Sequence, residues 1–300
     1  MADQEFIIGV DGGGTKCRAR LYSTQQGFIG TGLAGPANPA RHFESAMQSI
    51  LDACQAAIDD AVLPNVTLAD CHVGLGLAGV NLDTVAEKVM AWQHPFKSRF
   101  LTTDLHIACL GANDNQDGAV IIVGTGSCGL VSSQQKQVLL GGHGFPVGDY
   151  GGGAWIGFEA LRYCLRSLDG VAESTSMNPQ ILRFFNSKNA TDIAEIMLNA
   201  RPADYAKLSP IVFDAAEAGD AAATHIIQQG AAQISALARQ LLSHQPERLS
   251  MIGGVSLRIQ PWLDKDILRS IQAPIFQPDF GAVFFALNQL NYPVHFRGLS

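Results

Sequence analysis

Near the start of the chain, hydrophobic and polar positions follow the pattern of two neighbouring strands. Residues 6–10, FIIGV, form a short apolar run, which predicts a buried strand. From Cys17 to Tyr22, apolar and polar residues alternate with the period of a half-buried strand. The intervening residues 11–16, DGGGTK, are therefore predicted to join two strands and not a strand and a helix.

The rest of the first 113 residues completes a predicted β-β-β-α-β-α-β-α order. Helices are indicated where apolar residues recur at three- and four-residue spacing, and strands where short apolar runs end at turn residues. After the first hairpin, the predicted strands are 27–33, 71–77 and 100–103, and the predicted helices are 41–62, 83–92 and 104–110.

The pattern then restarts, which indicates an internal repeat. An apolar strand at 119–123 leads into a glycine-rich turn, GTGS, and a second strand follows at 128–131. The offset from the first hairpin stays close to about 110 residues. Beyond it we expect a helix at 154–167, strands at 249–252 and 275–276, and a closing helix at 280–290. The region 179–244 is predicted to be mostly helical and to end in a long alanine-rich stretch at 221–242.

These elements predict an α/β protein with two lobes that meet at the turn 113–117. The first lobe spans residues 1–113. The second spans residues 114–300 and contains the helical insertion, and its final helix is placed to pack back on the first lobe.

The composition of the 300 residues suits a globular, cytoplasmic protein. Hydrophobic residues make up 47% and charged residues 16%, and the net charge of −7 argues against nucleic acid or an anionic membrane as the main partner. The start, MADQEF, lacks the features of a signal peptide, and no run of about 18 apolar residues predicts a membrane span. The six cysteines form no CxxC pair, so we expect reduced core residues.

The first turn has the chemistry of a phosphate-binding loop, built from five consecutive residues: Gly12, Gly13, Gly14, Thr15 and Lys16. The three glycines remove Cβ atoms and free φ, so backbone N–H groups can converge on one anion. The threonine adds a hydroxyl and the lysine a positive charge. Asp11, just before the turn, is suited to hold Mg²⁺ through water. The structural alternative is a glycine-rich hairpin without a ligand.

Two further glycine-rich turns have related chemistry. A second phosphate-binding turn is predicted from Thr125, Gly126 and Ser127, and because it repeats the first, the two are expected to hold a polyphosphate from both sides. Gly253 and Gly254 follow a predicted strand, where they would let a flat adenine or a ribose approach the backbone. A tight hairpin and a simple strand-to-helix turn are the structural alternatives.

Another glycine pattern, GLGLAG at 74–79, matches the dinucleotide-binding GxGxxG motif only superficially. The next helix is predicted to begin late, at Asp83, and His94 lies near the position where that motif has an acid. We interpret these glycines as close strand packing beside a pocket. The P-loop pattern GxxxxGKS/T is absent, so P-loop chemistry is not supported.

Asp104 is the candidate catalytic residue. It follows the predicted strand 100–103 and begins a helix at the carboxyl edge of a sheet, where ligands of α/β proteins bind. A carboxylate there could orient an attacking hydroxyl and accept its proton, and a helix N-terminus would keep it ionised. Asp is also a favoured N-cap residue, and the two roles can coexist.

Asp149 and Asn38 are the candidate sugar-binding residues. Asp149 lies within the glycine-rich GDYGGG, and Asn38 lies in the loop after the third strand. A carboxylate or an amide on such loops could bind adjacent sugar hydroxyls. Asx-turn roles are the structural alternatives for both.

Six motifs occur in order along the chain: DGGGTK at 11–16, TTD at 102–104, GTGS at 124–127, GGHG at 141–144, GD at 148–149 and GGV at 253–255. Together they resemble the BadF/BadG/BcrA/BcrD-type branch of the sugar kinase, Hsp70 and actin superfamily, and within it the N-acetylglucosamine and glucosamine kinases. The resemblance covers essentially the whole chain. With GLAGPANP at 32–39, it is closest to the bacterial glucosamine kinases.

The resemblance implies two ribonuclease H-like, actin-like ATPase lobes with a central cleft, and ATP with Mg²⁺. It implies phosphorylation of glucosamine to glucosamine 6-phosphate, with N-acetylglucosamine as the alternative substrate. The family's catalytic base matches Asp104, its phosphate turns match the Gly12 and Thr125 turns, and its adenosine turn matches Gly253 and Gly254. The implied sugar contacts are Asn38, Gly144 and Asp149. The resemblance leaves a homodimer open.

The same branch contains activators of radical dehydratases, which act as non-catalytic ATPase switches and carry an iron–sulfur cluster at a dimer interface. Such a cluster needs clustered thiolates. No cysteine lies near 253–255 or within 148–153, which disfavours this alternative, although Cys128 beside the GTGS turn keeps it open.

Overall fold

The structure is a computed structural model that describes residues 4–133 and 136–292. The outer limits of the predicted lobes, Met1 and Ser300, lie outside the described residues. In chain order the strands are β1 (Phe6–Gly12), β2 (Cys17–Ser23), β3 (Gly27–Ala34), β4 (Cys71–Leu77), β5 (Ser98–Thr103), β6 (Gly118–Val123), β7 (Ser127–Ser132), β8 (Gln137–Gly141), β9 (Leu249–Ile252) and β10 (Ile271–Gln272). The helices are α1 (Phe43–Asp60), α2 (Asp83–Ala91), α3 (Asp104–Ala112), α4 (Gly153–Leu168), α5 (Met177–Phe184), α6 (Ala190–Ile196), α7 (Pro202–Ala206), α8 (Ser209–Glu217), α9 (Ala221–Leu242), α10 (Ser256–Ile259), α11 (Lys265–Ser270) and α12 (Pro278–Gln289).

The chain forms two compact units. The first consists of Met1–Gly118, Ser132–Lys136 and Ala273–Ser300, and the second of Ala119–Val131 and Gln137–Gln272. Helix α12 therefore belongs to the first unit. The two lobes predicted from the sequence, residues 1–113 and 114–300, remain a prediction.

The first unit contains a five-stranded sheet in the order β3-β2-β1-β4-β5. β1 is antiparallel to β2 and parallel to β4, and β4 is parallel to β5. The register aligns Asp11 with Gly76 of β4, and Gly76 with Thr102 of β5. Because parallel strands end at one sheet edge, the end of β1 and the start of α3 lie at the same edge.

Helices cover both faces of this sheet. Successive residues of a strand point to opposite faces, so Ile7 packs with Val283 of α12, whereas Ile8 joins the core that includes α1. Gly9 lies on the Ile7 face, where a Cβ atom would overlap the backbone of Asp279 and Val283. The glycine therefore permits the close approach of α12 to β1.

The glycines of the GLGLAG segment have the same packing role. Gly74 and Gly76 lie inside β4, where Cβ atoms would overlap Ala282 of α12 and Ile107 of α3, respectively. The interpretation as close packing is confirmed for these two glycines.

The second unit repeats the topology of the first. Its sheet order, β8-β7-β6-β9-β10, is the counterpart of β3-β2-β1-β4-β5. The predicted internal repeat is therefore confirmed at the level of strand order. Helices α4 to α9 pack around this sheet in a core that includes Ile121, Val123, Ile156 and Phe213.

The predicted strand at 275–276 is wrong. The backbone N–H groups of Ile275 and Phe276 donate to the carbonyls of Ala112 and Gly111 at the end of α3, so this apolar pair caps a helix instead of joining a sheet. Within the described residues, the last strand along the chain is β10, which begins four residues before Ile275 and pairs with β9.

Candidate active site

The first turn is shorter than predicted, because β1 continues through Gly12. The N–H of Gly13 donates to the carbonyl of Lys16 at 3.0 Å and closes the turn, and Gly14, Thr15 and Lys16 are exposed. None of the three glycines adopts a left-handed φ, so the turn does not use the freedom of φ that glycine allows. Of the three, only Gly12 is required for its small size, since a Cβ atom there would overlap the Leu77 side chain.

Asp11 lies at the carboxyl end of β1, opposite Arg18 of β2. Burial is the largest cause that raises its pKa from 3.8 to about 6, and the negative charges of Asp279 and Asp104 raise the pKa further. The positive charges of Arg18 and Lys16 only partly oppose this rise. Such an excess of buried negative charge fits a cation like the Mg²⁺ that the resemblance implies.

The donor set fits indirect binding of that cation. Within residues 4–133 and 136–292, no group of three or more His, Cys, Asp or Glu side chains is arranged to hold a metal ion. Mg²⁺ commonly keeps several waters and takes only one or two protein carboxylates. Asp11 with a water shell therefore matches the chemistry of the ion.

Asp104 is the first residue of α3, but Thr103 caps the helix. The Thr103 hydroxyl accepts from the N–H of His106 at 3.1 Å, and the Asp104 carboxylate accepts from the N–H of Leu105 at 2.9 Å. Burial raises the pKa of Asp104 even though backbone hydrogen bonds lower it. Burial therefore affects this pKa more than the backbone hydrogen bonds do, and the expectation that the helix N-terminus keeps Asp104 ionised stays a prediction. A carboxylate with a raised pKa suits a proton acceptor.

His106, two residues after Asp104, makes contacts that stabilise the start of α3. Its Nδ1 lies 2.9 Å from the Thr102 hydroxyl, and its ring contacts Phe285 edge-on, with centroids 5.6 Å apart. Burial lowers the pKa of His106, which favours the neutral ring. These contacts orient the first turn of α3 beside Asp104.

Asn38 lies near the same sheet edge. Its Oδ1 accepts from the N–H of Ala40 at 3.0 Å, which is the Asx-turn considered as the structural alternative. Gly79, just beyond β4, has a φ of +87°, and a Cβ atom there would come within 2.8 Å of Asn38 Oδ1. The first unit thus brings Asp11, Asn38 and Asp104 to one region, at the ends of β1, β4 and β5.

In the second unit, the Thr125 turn docks on the start of α4. The carbonyls of Gly124 and Thr125 accept from the N–H groups of Gly153 and Ala154 at 2.8 and 2.9 Å. Thr125 is exposed, whereas Ser127 is buried and its hydroxyl donates to the Tyr150 carbonyl at 2.7 Å. The Ser127 hydroxyl thus has a structural partner, and its predicted nucleotide contact stays a prediction.

Asp149 has a left-handed φ of 61°, which is uncommon for a residue other than glycine. Its Oδ1 accepts from the N–H of Gly144 at 3.2 Å, and its carboxylate lies against Gly126. Burial is the largest cause that raises the pKa of Asp149. With Ser127 and His143, it lines a cavity of about 240 Å³.

Gly253 and Gly254 follow β9 as predicted. Gly253 has a φ of +109°, and a Cβ atom there would overlap the Val123 carbonyl, so a glycine is required. Around Gly254 no atom lies within 4 Å of the position a Cβ atom would take, which leaves space for a ligand. Ser256 Oγ donates to the Gly253 carbonyl at 2.7 Å and stabilises the turn.

None of the six cysteines forms a disulfide, and all except the half-buried Cys128 are buried. The expected reduced core cysteines are thereby confirmed for five positions. In the described part of the chain, no helix combines the length and the apolar character needed to cross a membrane.

Sequence reasoning missed two charged residues of this region, Arg18 and Asp279. From the sequence alone, Arg18 is one of the polar positions of an alternating strand. Asp279 is an acid at the start of a helix. Their proximity depends on the packing of α12 against β1 and β2, for which the local sequence carries no signal.

The model of the BadF/BadG/BcrA/BcrD ATPase family matches residues 8–286 of the chain. Glucosamine kinase GspK of Vibrio cholerae is 35% identical over 281 residues, which cover 94% of this chain and 95% of the relative. An N-acetylmuramic acid/N-acetylglucosamine kinase of Clostridium acetobutylicum is 24% identical over 263 residues, with 84% of this chain and 85% of that protein covered.

A solved structure from Chromobacterium violaceum, provisionally described as an N-acetylglucosamine kinase, matches with a TM-score of 0.88 at 29% identity. The match covers 94% of this chain and 99% of that one. The predicted two-lobe, actin-like α/β fold is therefore confirmed. Since the family match extends over nearly the whole length, and a relative exceeds 30% identity over 94% of the chain, the chain belongs to the BadF/BadG/BcrA/BcrD ATPase family.

Proposed function

We propose that this protein is an ATP-dependent sugar kinase that transfers the γ-phosphoryl group to the 6-hydroxyl of glucosamine and forms glucosamine 6-phosphate. The observation that carries the proposal is the 35% identity to a glucosamine kinase over 94% of the chain. The grouping of Asp11, Asn38 and Asp104 near one sheet edge supports it, because ligands of α/β folds bind at the carboxyl ends of strands.

Asp104 is the catalytic base in this proposal. Phosphoryl transfer passes through a loose transition state, so a carboxylate need only orient the attacking hydroxyl and take its proton late. The hydrogen bond from the Leu105 N–H holds the carboxylate in one orientation, which favours in-line attack. Burial raises the pKa of Asp104 and makes it a stronger proton acceptor than an exposed carboxylate.

The glycine-rich turns bind the nucleotide. The phosphate contacts are assigned to Gly12, Gly13, Gly14, Thr15, Lys16, Thr125, Gly126 and Ser127, and the adenosine contacts to Gly253 and Gly254. Exposed Lys16 supplies a positive charge for the phosphates. Asp11 would hold Mg²⁺ through water, and the ion supplies further positive charge against the developing phosphoryl charge.

Asn38, Gly144 and Asp149 contact the sugar. The hydrogen bond from Gly144 to Asp149 Oδ1 makes these two residues one rigid element of the second unit. Asp149 is half-buried and its pKa is raised, so it suits hydrogen bonding to neutral hydroxyls as well as pairing with an ammonium group. The choice of glucosamine therefore rests on the relative and not on one receptor residue.

A coupled assay of ADP release over a panel of hexoses tests this proposal. We expect sugar-dependent ADP release with glucosamine and little with glucose. Turnover restricted to N-acetylglucosamine would favour that substrate instead, which the relative from Clostridium acetobutylicum makes the second candidate.

A dehydratase activator remains the candidate from another class, favoured only by the half-buried Cys128. It predicts bound iron and no sugar-dependent ADP release. A visible absorption spectrum of anaerobically purified protein distinguishes the two, because an iron–sulfur cluster absorbs there and a sugar kinase does not. The homodimer and the cytoplasmic location stay predictions, which size-exclusion chromatography and cell fractionation would test.

A further inference from the structure

Asp279 is a buried carboxylate to which the proposed reaction assigns no role. It is the second residue of α12, and its relative exposure is 0%. Its Oδ2 accepts a hydrogen bond from Arg20 Nε at 2.8 Å, whereas within the described residues its Oδ1 has no hydrogen-bond partner. A buried carboxylate oxygen without a hydrogen bond is unfavourable. The usual role of an acid in the first turn of a helix does not explain why Asp279 is buried in this way.

A second arginine lies close to the unbonded oxygen. Arg18 Nη1 is 3.9 Å from Asp279 Oδ1, which is an ion pair without a hydrogen bond. Arg18 is also the residue directly opposite Asp11 in the β1–β2 register. Its guanidinium therefore has two carboxylates within reach, and across residues 4–133 and 136–292 its only ion pair within 4.0 Å is with Asp279.

We propose that Asp279 is a positioning residue that attracts the Arg18 guanidinium to the start of α12 and thereby keeps it from pairing with Asp11. The inference rests on the proposed kinase function, in which Asp11 serves the Mg²⁺ that accompanies the nucleotide. A bidentate arginine–carboxylate pair is strong and would occupy the oxygens that a hydrated cation needs. Asp279 leaves those oxygens available.

Arg20 holds the Asp279 side chain in place. Its 2.8 Å hydrogen bond fixes the Asp279 carboxylate, and its guanidinium lies 4.1 Å from the ring centroid of Phe280. Arg20 is opposite Gly9, two residues from Asp11 along β1. A two-residue step along a strand is about 6–7 Å, so Arg20 is farther from Asp11 than Arg18 is. The two arginines thus share one carboxylate but differ in their access to Asp11.

Calorimetric titration of the full-length protein with ADP, in excess Mg²⁺ and in EDTA, tests the inference. The ratio of the two affinities measures what the metal contributes to binding. Asp279→Asn keeps the size of the side chain but removes the charge that attracts Arg18. We expect this variant to lower the ratio by about tenfold, a typical coupling between two ligands. Adding Arg18→Gln to Asp279→Asn should restore the ratio.

The matched control adds Arg20→Gln to Asp279→Asn. Like Arg18→Gln, it removes one positive charge beside residue 279, but it should not restore the ratio, because Arg20 lies opposite Gly9 and is farther from Asp11 than Arg18 is. An unchanged ratio in Asp279→Asn, or equal restoration by both glutamine substitutions, would overturn the inference. A purely structural role of Asp279 would lower the melting temperature without this pattern.

If Asp279→Asn does not fold, Arg18→Gln alone decides. Since Asp279 holds this guanidinium away from Asp11 in the wild-type protein, its removal should change the ratio by less than about threefold, and a rise of about tenfold or more would show that Arg18 already competes for Asp11 and would contradict the inference. None of these titrations measures turnover. Failure of the wild-type protein to phosphorylate any hexose would therefore refute the proposed kinase separately.

Discussion

Gly126 lies directly against the carboxylate of Asp149, so that a Cβ atom at residue 126 would overlap Asp149 Oδ2. The other carboxylate oxygen accepts from the backbone N–H of Gly144 at 3.2 Å. One side chain of the second unit thus couples a turn assigned to the nucleotide phosphates with a loop assigned to the sugar. Adding a Cβ atom at residue 126 should therefore disturb both the turn and the loop.

Gly126→Ala should therefore displace Asp149 and impair both sugar use and stability. We expect kcat/KM for the sugar to fall by about 10- to 100-fold, since displacement of a contact group by about 1 Å can have this effect. The free energy of unfolding should fall by about 1–3 kcal/mol, as is usual for overpacking. Steady-state kinetics and urea unfolding measure the two effects.

Gly124→Ala is the matched control within the same turn. A Cβ atom there meets no atom within 4 Å, so the substitution should leave the free energy of unfolding unchanged. Equal destabilisation by both alanines would show that the contact with Asp149 is not responsible.

Asp104→Asn should fold and bind ADP normally but lose turnover. The amide oxygen can still accept from the Leu105 N–H. The asparagine side chain is neutral, so it avoids the cost of burying a charge, which is what raises the pKa of Asp104. Loss of a general base lowers turnover by about 10²- to 10⁴-fold. ADP release measures turnover, and calorimetry with ADP measures binding.

Asp83→Asn is the matched control, because Asp83 is likewise the first residue of a helix but is exposed on α2. It should keep wild-type turnover. If Asp104→Asn retained most of its activity, the base would have to be another group.

Elements with strong local signals could be predicted from the sequence residue for residue. β4 at Cys71–Leu77 and α9 at Ala221–Leu242 have the predicted bounds. For α9 the reason is visible, since the Asp220 side chain accepts from the Ala223 N–H and fixes the helix start. β10 could not be predicted in this way, because two residues become a strand only by pairing with β9.

For the candidate site too, some features could be predicted from local sequence and others depend on tertiary packing. Position on a sheet edge follows from strand order, so Asp11 and Asp104 could be identified from sequence. Their pKa values could not, because both depend on burial, and the pKa of Asp11 depends also on the charge of Asp279, which approaches through packing of α12. The hydrogen bond from Arg20 to Asp279 joins residues 259 positions apart, and no local pattern indicates it.

Asp11→Asn should stabilise the protein at neutral pH. The pKa of Asp11 is raised from 3.8 to about 6 on folding, so the folded state holds the proton more tightly than the unfolded chain. The stability that this group contributes is full below about pH 4 and is lost as the pH rises through about 6. Asparagine cannot ionise, so the variant should gain at most about 3 kcal/mol at pH 7.

Urea unfolding of both proteins at pH 4.5, 6 and 7.5 checks this prediction. The advantage of Asp11→Asn should grow with pH, whereas an advantage that is constant over this range would assign the effect to packing instead of charge. The variant should also need more Mg²⁺ for half-maximal turnover, so that stability and function change in opposite directions.

His72 should make the protein less stable in mild acid. Its Nδ1 lies 2.6 Å from Ser98 Oγ and its Nε2 lies 3.2 Å from Glu5 Oε2. Burial is the largest cause that lowers the pKa of His72, the charge of Lys97 lowers it further, and Glu5 opposes the change. The folded state therefore favours the neutral ring. The stability from this group is full above pH 6.5 and is lost as the pH falls through the lowered pKa.

His72→Asn removes the titrating ring but leaves a polar group near Ser98. The free energy of unfolding of this variant should fall less between pH 7.5 and 5.5 than that of the wild-type protein. His225→Asn is the control, because His225 is exposed on α9 and its replacement should keep the wild-type pH dependence. A pH dependence in His72→Asn as steep as in the wild-type protein would mean that the Glu5 ion pair compensates for burial.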